Sequence, residues 1–400
     1  MTALSRPEPA PRSRPDSPAD IVCLCHLKWE ATLFQRPQQI MKRLARERRV
    51  LFVGRCDFRD WLRNRFRRPE LFSGTAAGGK LRFVNLPYLP GSRRLPWLKD
   101  VAARISVRTA RRLALRDGLH DVALWVCHPA FQPWLQVFPR SLLIYDRMDP
   151  YSEFATAPAA DARRELDLLH DADLVFAGGR ALRVGVEFLR PDALLLPSGV
   201  EFEHFAKARE AGLAVPSELA AIPGPILGYF GAVDERLDFE LLERLCRLRP
   251  YWSVVLIGPL VGFSTPPVAA PNLHFMGSRP YDSLPAYLKG FDVCLMPFAE
   301  TELTVLISPT KTPEYLAGGK PVVSTPIPDV EWDYGDLVFI ARGASDFVKK
   351  VEEALQQRGR NWYSLAREKS PAKSWDEIVE AMDEAMRNHK TRKGDKAKTQ

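Results

Sequence analysis

Residues 308–325 read SPTKTPEYLAGGKPVVST. A Thr at 310 or 312 as N-cap, Pro313 in the first turn and Gly318–Gly319 as a stop predict a short helix leading into an apolar strand. The amino end of such a helix presents free backbone N–H groups and a positive dipole end, and Lys311 adds a full charge beside it. A phosphate or diphosphate fits there. Glu314 in the same turn is unsuited to that anion but accepts hydrogen bonds from vicinal hydroxyls, as a ribose offers. Phosphate and ribose together mean a nucleotide. The same spacing is equally read as an ordinary i, i+3 Lys–Glu pair worth about 0.2–0.5 kcal/mol.

Outward from this stretch, apolar runs of strand length alternate with segments of helical period, the pattern of parallel α/β folds, and the alternation runs twice. The first pass holds IVCLC (21–25), a helix opening at Pro37, VLFVG (50–54), LRFVN (81–85), a basic helix around 97–116, VALWVC (122–127), LLIYD (142–146), DLVFAG (173–178) and ALLLP (193–197). The second starts at PILGYFG (225–231) and continues through SVVLIG, LHFMG, DVCLMP, VVST and LVFI. Two Rossmann-like, doubly wound domains facing across a cleft follow. The expected plan is a disordered tail over 1–19, a first domain over 20–205, an Ala, Gly and Pro-rich linker over 206–224 and a second domain over 225–372. A helix over 373–388 then packs back on the first domain, and 389–400 is a disordered basic tail.

The chain has 400 residues, 46% hydrophobic and 26% charged, enough apolar material for two cores. No stretch approaches the roughly 20 apolar residues of a membrane-spanning helix, and the opening MTALSRPEPAPRSRPDSPAD is Pro-rich and polar, so a cytoplasmic location is expected. Four of the six Cys lie inside apolar strand runs, which predicts buried, reduced thiols. Residues 1–200 carry 33 Lys+Arg against 21 Asp+Glu, and Arg55 to Arg116 alone holds 16 basic residues against four acidic ones, interleaved with Trp61, Phe66, Phe72, Tyr88 and Trp97. That stretch suits a solvated face or peripheral contact with an anionic membrane; no nucleic acid is expected.

Ligands of doubly wound sheets sit beyond the carboxyl ends of the strands. That rule selects His26 and Trp29, His128, Asp146 and Asp149, Gly231 to Arg236, Gly277 to Arg279 and the stretch from Pro297 to Glu302. Arg36 and Gln38 open the first helix at the cleft and are candidates for touching the donor or an anionic acceptor.

The motif PTKTPEYLAGGKPVVSTPI resembles the donor-site signature of family 4 and related glycosyltransferases of the GT-B fold. LLLPSGVEFEHF (194–205) is similar to their crossover between domains, and PILGYFGAVDERLDFELLERL to the opening of their nucleotide domain. NLHFMGSRPYDSLPAYLKGFDVCLMPF is similar to their segment beside the base. RPQQIMKRLA with YDRMDPYSEF (145–154) resembles the bacterial teichuronic-acid type. The resemblance implies transfer of a sugar, a hexose with retention, from a nucleotide-diphosphate donor to a polysaccharide or lipid-linked glycan at the cell surface. It implies no metal and no cofactor beyond the donor. Glu314 then meets the ribose, Lys311 and Arg236 the diphosphate, with Gly231, Gly277, Arg279 and Thr310 around the nucleotide. His128 faces the donor sugar and Asp146 the acceptor hydroxyl, with Trp29, Arg36, Gln38 and Asp149 in the cleft. The family has a Glu where Leu306 stands, and Glu302 or Glu300 is the candidate to replace it; Ala232 occupies the place of the usual phosphate Arg, Ser198 and Glu201 those of the crossover Asn and Asp. A non-catalytic scaffold or partner subunit and a nucleotide-sugar epimerase are the alternatives.

Overall fold

The computed structural model describes residues 19–29, 34–92, 95–151 and 159–398. Of the expected N-terminal tail, 1–18 lie outside the described residues, as do 152–154 of YDRMDPYSEF. The first sheet is built from β1 (Ile21–Leu24), β2 (Val50–Cys56), β3 (Ser73–Ala76), β4 (Leu81–Pro87), β5 (Ala123–Val126), β6 (Leu142–Arg147), β7 (Leu174–Ala177) and β8 (Leu194–Leu195). The second holds β9 (Ile226–Phe230), β10 (Ser253–Ile257), β11 (Leu273–Gly277), β12 (Val293–Met296), β13 (Val322–Ser324) and β14 (Phe339–Ile340).

Strand order is β3-β4-β2-β1-β5-β6-β7-β8 in one sheet and β11-β10-β9-β12-β13-β14 in the other. All neighbours are parallel except β3, which runs antiparallel to β4 at the edge. Both sheets are therefore doubly wound, and each has one point where the connections part to opposite sides: between β1 and β5, and between β9 and β12. The strands read as continuous apolar runs because helices cover both faces. On the first sheet two separate clusters result, one around Ile40, Phe52 and Trp125, the other around Val107, Leu124 and Tyr145. Strand β3, SGTA, has no apolar run to mark it and was not expected.

The 206–224 stretch is not a free linker. It carries a 3-10 turn at Lys207–Arg209 and the helix Ser217–Ala220, and Ala208 and Leu219 are buried in the second domain's core. Lys289 Nζ donates to the carbonyls of Glu210 (2.6 Å), Ala211 (3.1 Å) and Leu213 (2.6 Å), which fixes the segment there. Its apolar residues need burial, and the second core is the surface within reach.

The last helix spans Trp375–Lys398 and lays Trp375, Ile378, Val379, Met382 and Met386 on the first domain beside Ile40 and Met41 of helix Arg36–Leu44. Arg48 pairs with Asp383, Arg46 with Asp376 and Lys390 with Asp121. The expected disordered tail from 389 is instead helical to Lys398. Lys, Arg and Ala are strong helix formers, and propagation from a docked helix needs no new nucleus.

Candidate active site

The carboxyl edge of the second sheet is shaped by two glycines. Gly231 follows β9 at φ +148, and a Cβ there would lie 2.1 Å from Lys311 Cε. Gly258 follows β10 at φ +153, and its Cβ would fall 1.7 Å from the Gly231 carbonyl oxygen. No side chain fits at either position, so the strand ends close on each other and the Lys311 stem lies directly over Gly231. Helix Lys311–Ala317 is held at this point by Tyr315, fully buried, whose hydroxyl accepts the Phe230 N–H at 2.9 Å.

The amino end of that helix carries no side-chain cap. Thr310 is itself helical and makes no capping bond, and the buried Thr312 Oγ1 has no partner among the described residues. The expected Thr cap is therefore absent. Burial pushes Lys311 below its ordinary pKa, with the Glu314 carboxylate pulling it back. Burial raises Glu314 to about 7; Lys311 opposes the shift and the Glu201 carboxylate adds to it.

Arg236 forks onto Asp234, with Nε at 2.9 and 3.1 Å and Nη2 at 2.6 Å from the carboxylate. Burial works against its charge, but Asp234 keeps it ionised well above its ordinary range. From the first domain, Asp149 enters the same field: burial raises it to about 6, against the pull of Arg236, Arg36 and Lys311.

Beside Glu314 the crossover joins both domains. Glu201 Oε2 accepts from Gln39 Nε2 at 3.1 Å and Oε1 from Arg43 at 3.4 Å, both on helix Arg36–Leu44. The Tyr281 hydroxyl also bonds to Glu201, and although burial favours protonation these donors hold the carboxyl below its ordinary value. Tyr281 is stacked on His204 at 4.5 Å and 7°, and His204 Nε2 lies 3.1 Å from the Tyr281 carbonyl. A cavity of about 200 Å³ between the domains, lined among others by Ser198, Ser308, Thr310 and Lys373, adjoins the start of the Lys311 helix.

At the first sheet's edge the structure redistributes the expected roles. Asp146 is fully buried and its carboxylate is taken by Arg36 at 2.8–3.2 Å, while Arg36 Nη1 donates to the Leu196 carbonyl at 2.8 Å. Neither residue is open to an acceptor or a donor. Trp29 is a core residue against Phe34, Phe52 and Phe83, with its backbone N–H donating to Asn85 Oδ1 at 2.8 Å. Gln38 is buried too; its side chain accepts the Gln35 N–H and donates to the Lys28 carbonyl, capping the first helix. His128 caps as well, Nδ1 accepting the Ala130 N–H at 3.1 Å, but its ring stands in the cleft wall with His26 and Tyr151.

Three more candidates have other surroundings. The Arg279 guanidinium is committed to Glu218 (2.9 Å), the Tyr287 hydroxyl (2.7 Å) and the Met276 carbonyl (2.5 Å); Gly277, φ +71, is the exposed last residue of β11. Glu302 opens the four-residue helix Glu302–Val305, exposed and without a hydrogen bond or ion pair to any described residue. The structure thus brings together Gly231, Arg236, Lys311, Glu314 and Asp149. Asp234, Tyr281 and His204 were missed: nothing local distinguishes them, although Asp234 falls in the strand-end stretch that the topology rule selects.

A doubly wound pair with a charged crevice at one sheet edge is the GT-B architecture, and solved structures share it. Sucrose-phosphate synthase from Thermosynechococcus elongatus superposes with a TM-score of 0.71 at 15% identity, covering 92% of this chain and 98% of that one. The Anabaena protein HepE, solved in complex with UDP-glucose, gives 0.64 at 13% identity over 92% and 99%. Residues 224–357, within the second domain, match the family described as glycosyl transferases group 1. Among curated proteins, Bacillus subtilis TuaH, named as a teichuronic acid biosynthesis glycosyltransferase, is 26% identical over 267 residues, 61% of this chain and 66% of TuaH. The match thus spans about two thirds of that relative's length.

Proposed function

We propose that this protein moves a hexosyl group, with retention, from a nucleoside diphosphate sugar to a glycan or lipid-linked acceptor in the synthesis of a cell-surface polysaccharide. One observation carries the reading: Lys311 lies over Gly231, a position closed to any side chain, with Glu314 one turn along. An ammonium held at a bare backbone edge suits a diphosphate, and a carboxylate beside it suits a ribose. As the sugar leaves, negative charge grows on the diphosphate, and Lys311 with Arg236 stabilises it. In this reading no metal or further cofactor is required.

Attachment to the inner face of the membrane belongs to the same proposal. Phe66 is 83% and Trp97 58% exposed, Leu62 and Leu95 are exposed with them, and Arg65 stacks at 4.5 Å on both Trp61 and Phe66. The segments start from the ends of the paired strands β2 and β4, so apolar and basic side chains leave the same sheet edge.

A thermal-shift panel of nucleotide sugars tests the reading. A rise in Tm with one nucleoside diphosphate sugar, lost in Lys311→Ala and in Glu314→Ala, supports it. No rise with any of them, or equal rises in both variants, overturns it.

A further inference from the structure

A helix of the first domain is capped from the second. Helix Arg180–Val184 follows β7, and its own N-cap, Gly179, has no side chain to offer. The Asp329 carboxylate supplies the cap instead: Oδ2 accepts the Arg180 N–H at 2.9 Å and Oδ1 the Ala181 N–H at 2.8 Å. Asp329 stands in the first turn of helix Pro328–Tyr334 in the second domain and is 2% exposed. One turn on, Asp333 takes the Arg180 guanidinium, Nε at 3.2 Å and Nη2 at 2.6 Å. Two otherwise orphaned amides and a buried carboxylate thus satisfy each other across the domain boundary.

The same carboxylate reaches the segment that leads into Lys311. The Ser308 hydroxyl donates to Asp329, and Ser308 stands three residues before Lys311. Gly179 leaves the room for this: a Cβ there would lie 2.5 Å from Asp329 Oδ2 and 2.5 Å from Ser308 Cβ. Backbone of the first domain therefore abuts both residues. The Lys311 helix itself is anchored inside the second domain, through Tyr315 on Phe230 and the Lys311 stem over Gly231. The crossovers meet where Val200 bridges Ser374, and the last helix docks on the first domain. Those contacts join the domains at the crossovers, whereas Asp329 joins them at the entry to the Lys311 helix.

We infer that Asp329 is a positioning residue for the transfer step: it ties the segment entering the Lys311 helix to the first domain, and so sets the spacing between the leaving diphosphate and the first domain's side of the cleft. The inference rests on the glycosyl-transfer reading for the step it serves and on the cross-domain hydrogen bonds for the tie. The leaving group is held by one domain and faces the other, so their spacing enters the rate, and a misplacement of about 1 Å costs up to about 100-fold. Nucleotide affinity does not depend on the tie, because Gly231, Arg236, Lys311 and Glu314 all belong to the second domain.

The test uses the full chain with spin labels at Phe188→Cys and Glu240→Cys, exposed positions on different domains; the six native cysteines are buried and escape labelling. Pulsed EPR should give one narrow distance in this parent and a broader or displaced one in Asp329→Ala. Gly179→Ala should do the same from the opposite domain, and the double variant should add little to either. Asp329→Asn, which keeps an acceptor, should restore part of the parent distribution. With UDP-glucose, ADP-glucose and GDP-mannose as donors, release of the nucleoside diphosphate should fall about 10- to 100-fold in kcat in Asp329→Ala and Gly179→Ala, with KM within about twofold. A parent distance distribution in both variants, or a loss confined to KM, overturns the inference. Calorimetry with UDP, ADP and GDP on the same samples separates the two readings: nucleotide binding with distance and turnover at the parent level in the variants sinks the tie alone, and absence of nucleotide binding to the parent sinks the functional reading.

Discussion

At the carboxyl edge of the second sheet the chain sets two positive-φ glycines, a lysine, a glutamate and an Arg–Asp fork; at the same edge of the first sheet it sets two histidines and a tyrosine. The backbone plan is alike, with a parting of connections after the first strand in each domain. Topology supplies a crevice in both cases. The few residues that follow the strands differ: fixed charge and bare backbone at the second edge, aromatic rings at the first.

The comparison breaks most readily at Asp146. If it serves only to hold Arg36 in the first domain, Asp146→Ala leaves a buried guanidinium unpaired and costs about 3–5 kcal/mol in urea denaturation. A loss under about 1 kcal/mol with the reaction abolished would instead make it part of the chemistry and the first edge a charged one.

Next in size is the second edge. Lys311→Ala removes a charge-assisted contact worth about 1.5–3 kcal/mol and should lower nucleoside diphosphate affinity about 10- to 100-fold by calorimetry. Gly231→Ala should do at least as much, since its Cβ overlaps Lys311 at a φ of +148.

Glu314 sharpens the contrast through pH. Its carboxyl titrates near 7 when folded against an ordinary 4.5, so the folded chain holds the extra proton between those values. Its contribution to stability is then fullest below pH 4.5 and falls away as pH rises to 7. Glu314→Gln should therefore melt higher than the wild type at pH 8 and show a flatter Tm profile from pH 5 to 8. The same variant should bind nucleotide less well at pH 8, because the amide lacks the carboxylate's acceptor strength. The smallest effect is expected at Arg279: Arg279→Ala should leave nucleotide affinity within about twofold and cost under about 1 kcal/mol, as a partly exposed ion pair does.

Much of this architecture was legible. The apolar runs marked nearly every strand, and the Gly, Lys and Glu of the second edge could be named because the first ends a strand and the other two open a helix. Strand β3 was not legible, since SGTA alternates exposed and half-buried small residues. The run of Lys and Arg after 388 suggested disorder because it has nothing to bury, yet the same residues extend a docked helix. The cleft roles read for Asp146, Arg36, Trp29, Gln38 and Arg279 did not hold, because each has a stronger partner inside its own fold.

By itself the sequence determined the two parallel sheets and the Lys311–Glu314 pair that opens a short helix, because these follow from hydrophobic period and from spacings of a few residues. Only the tertiary structure decided which polar groups remain available for a ligand. Arg36 meets Asp146 across 110 residues and His26 meets His128 across 102, and such pairings depend on strand order rather than on any local pattern. A buried charge takes the first partner that the fold supplies, so the groups left for chemistry are those whose neighbours cannot satisfy them.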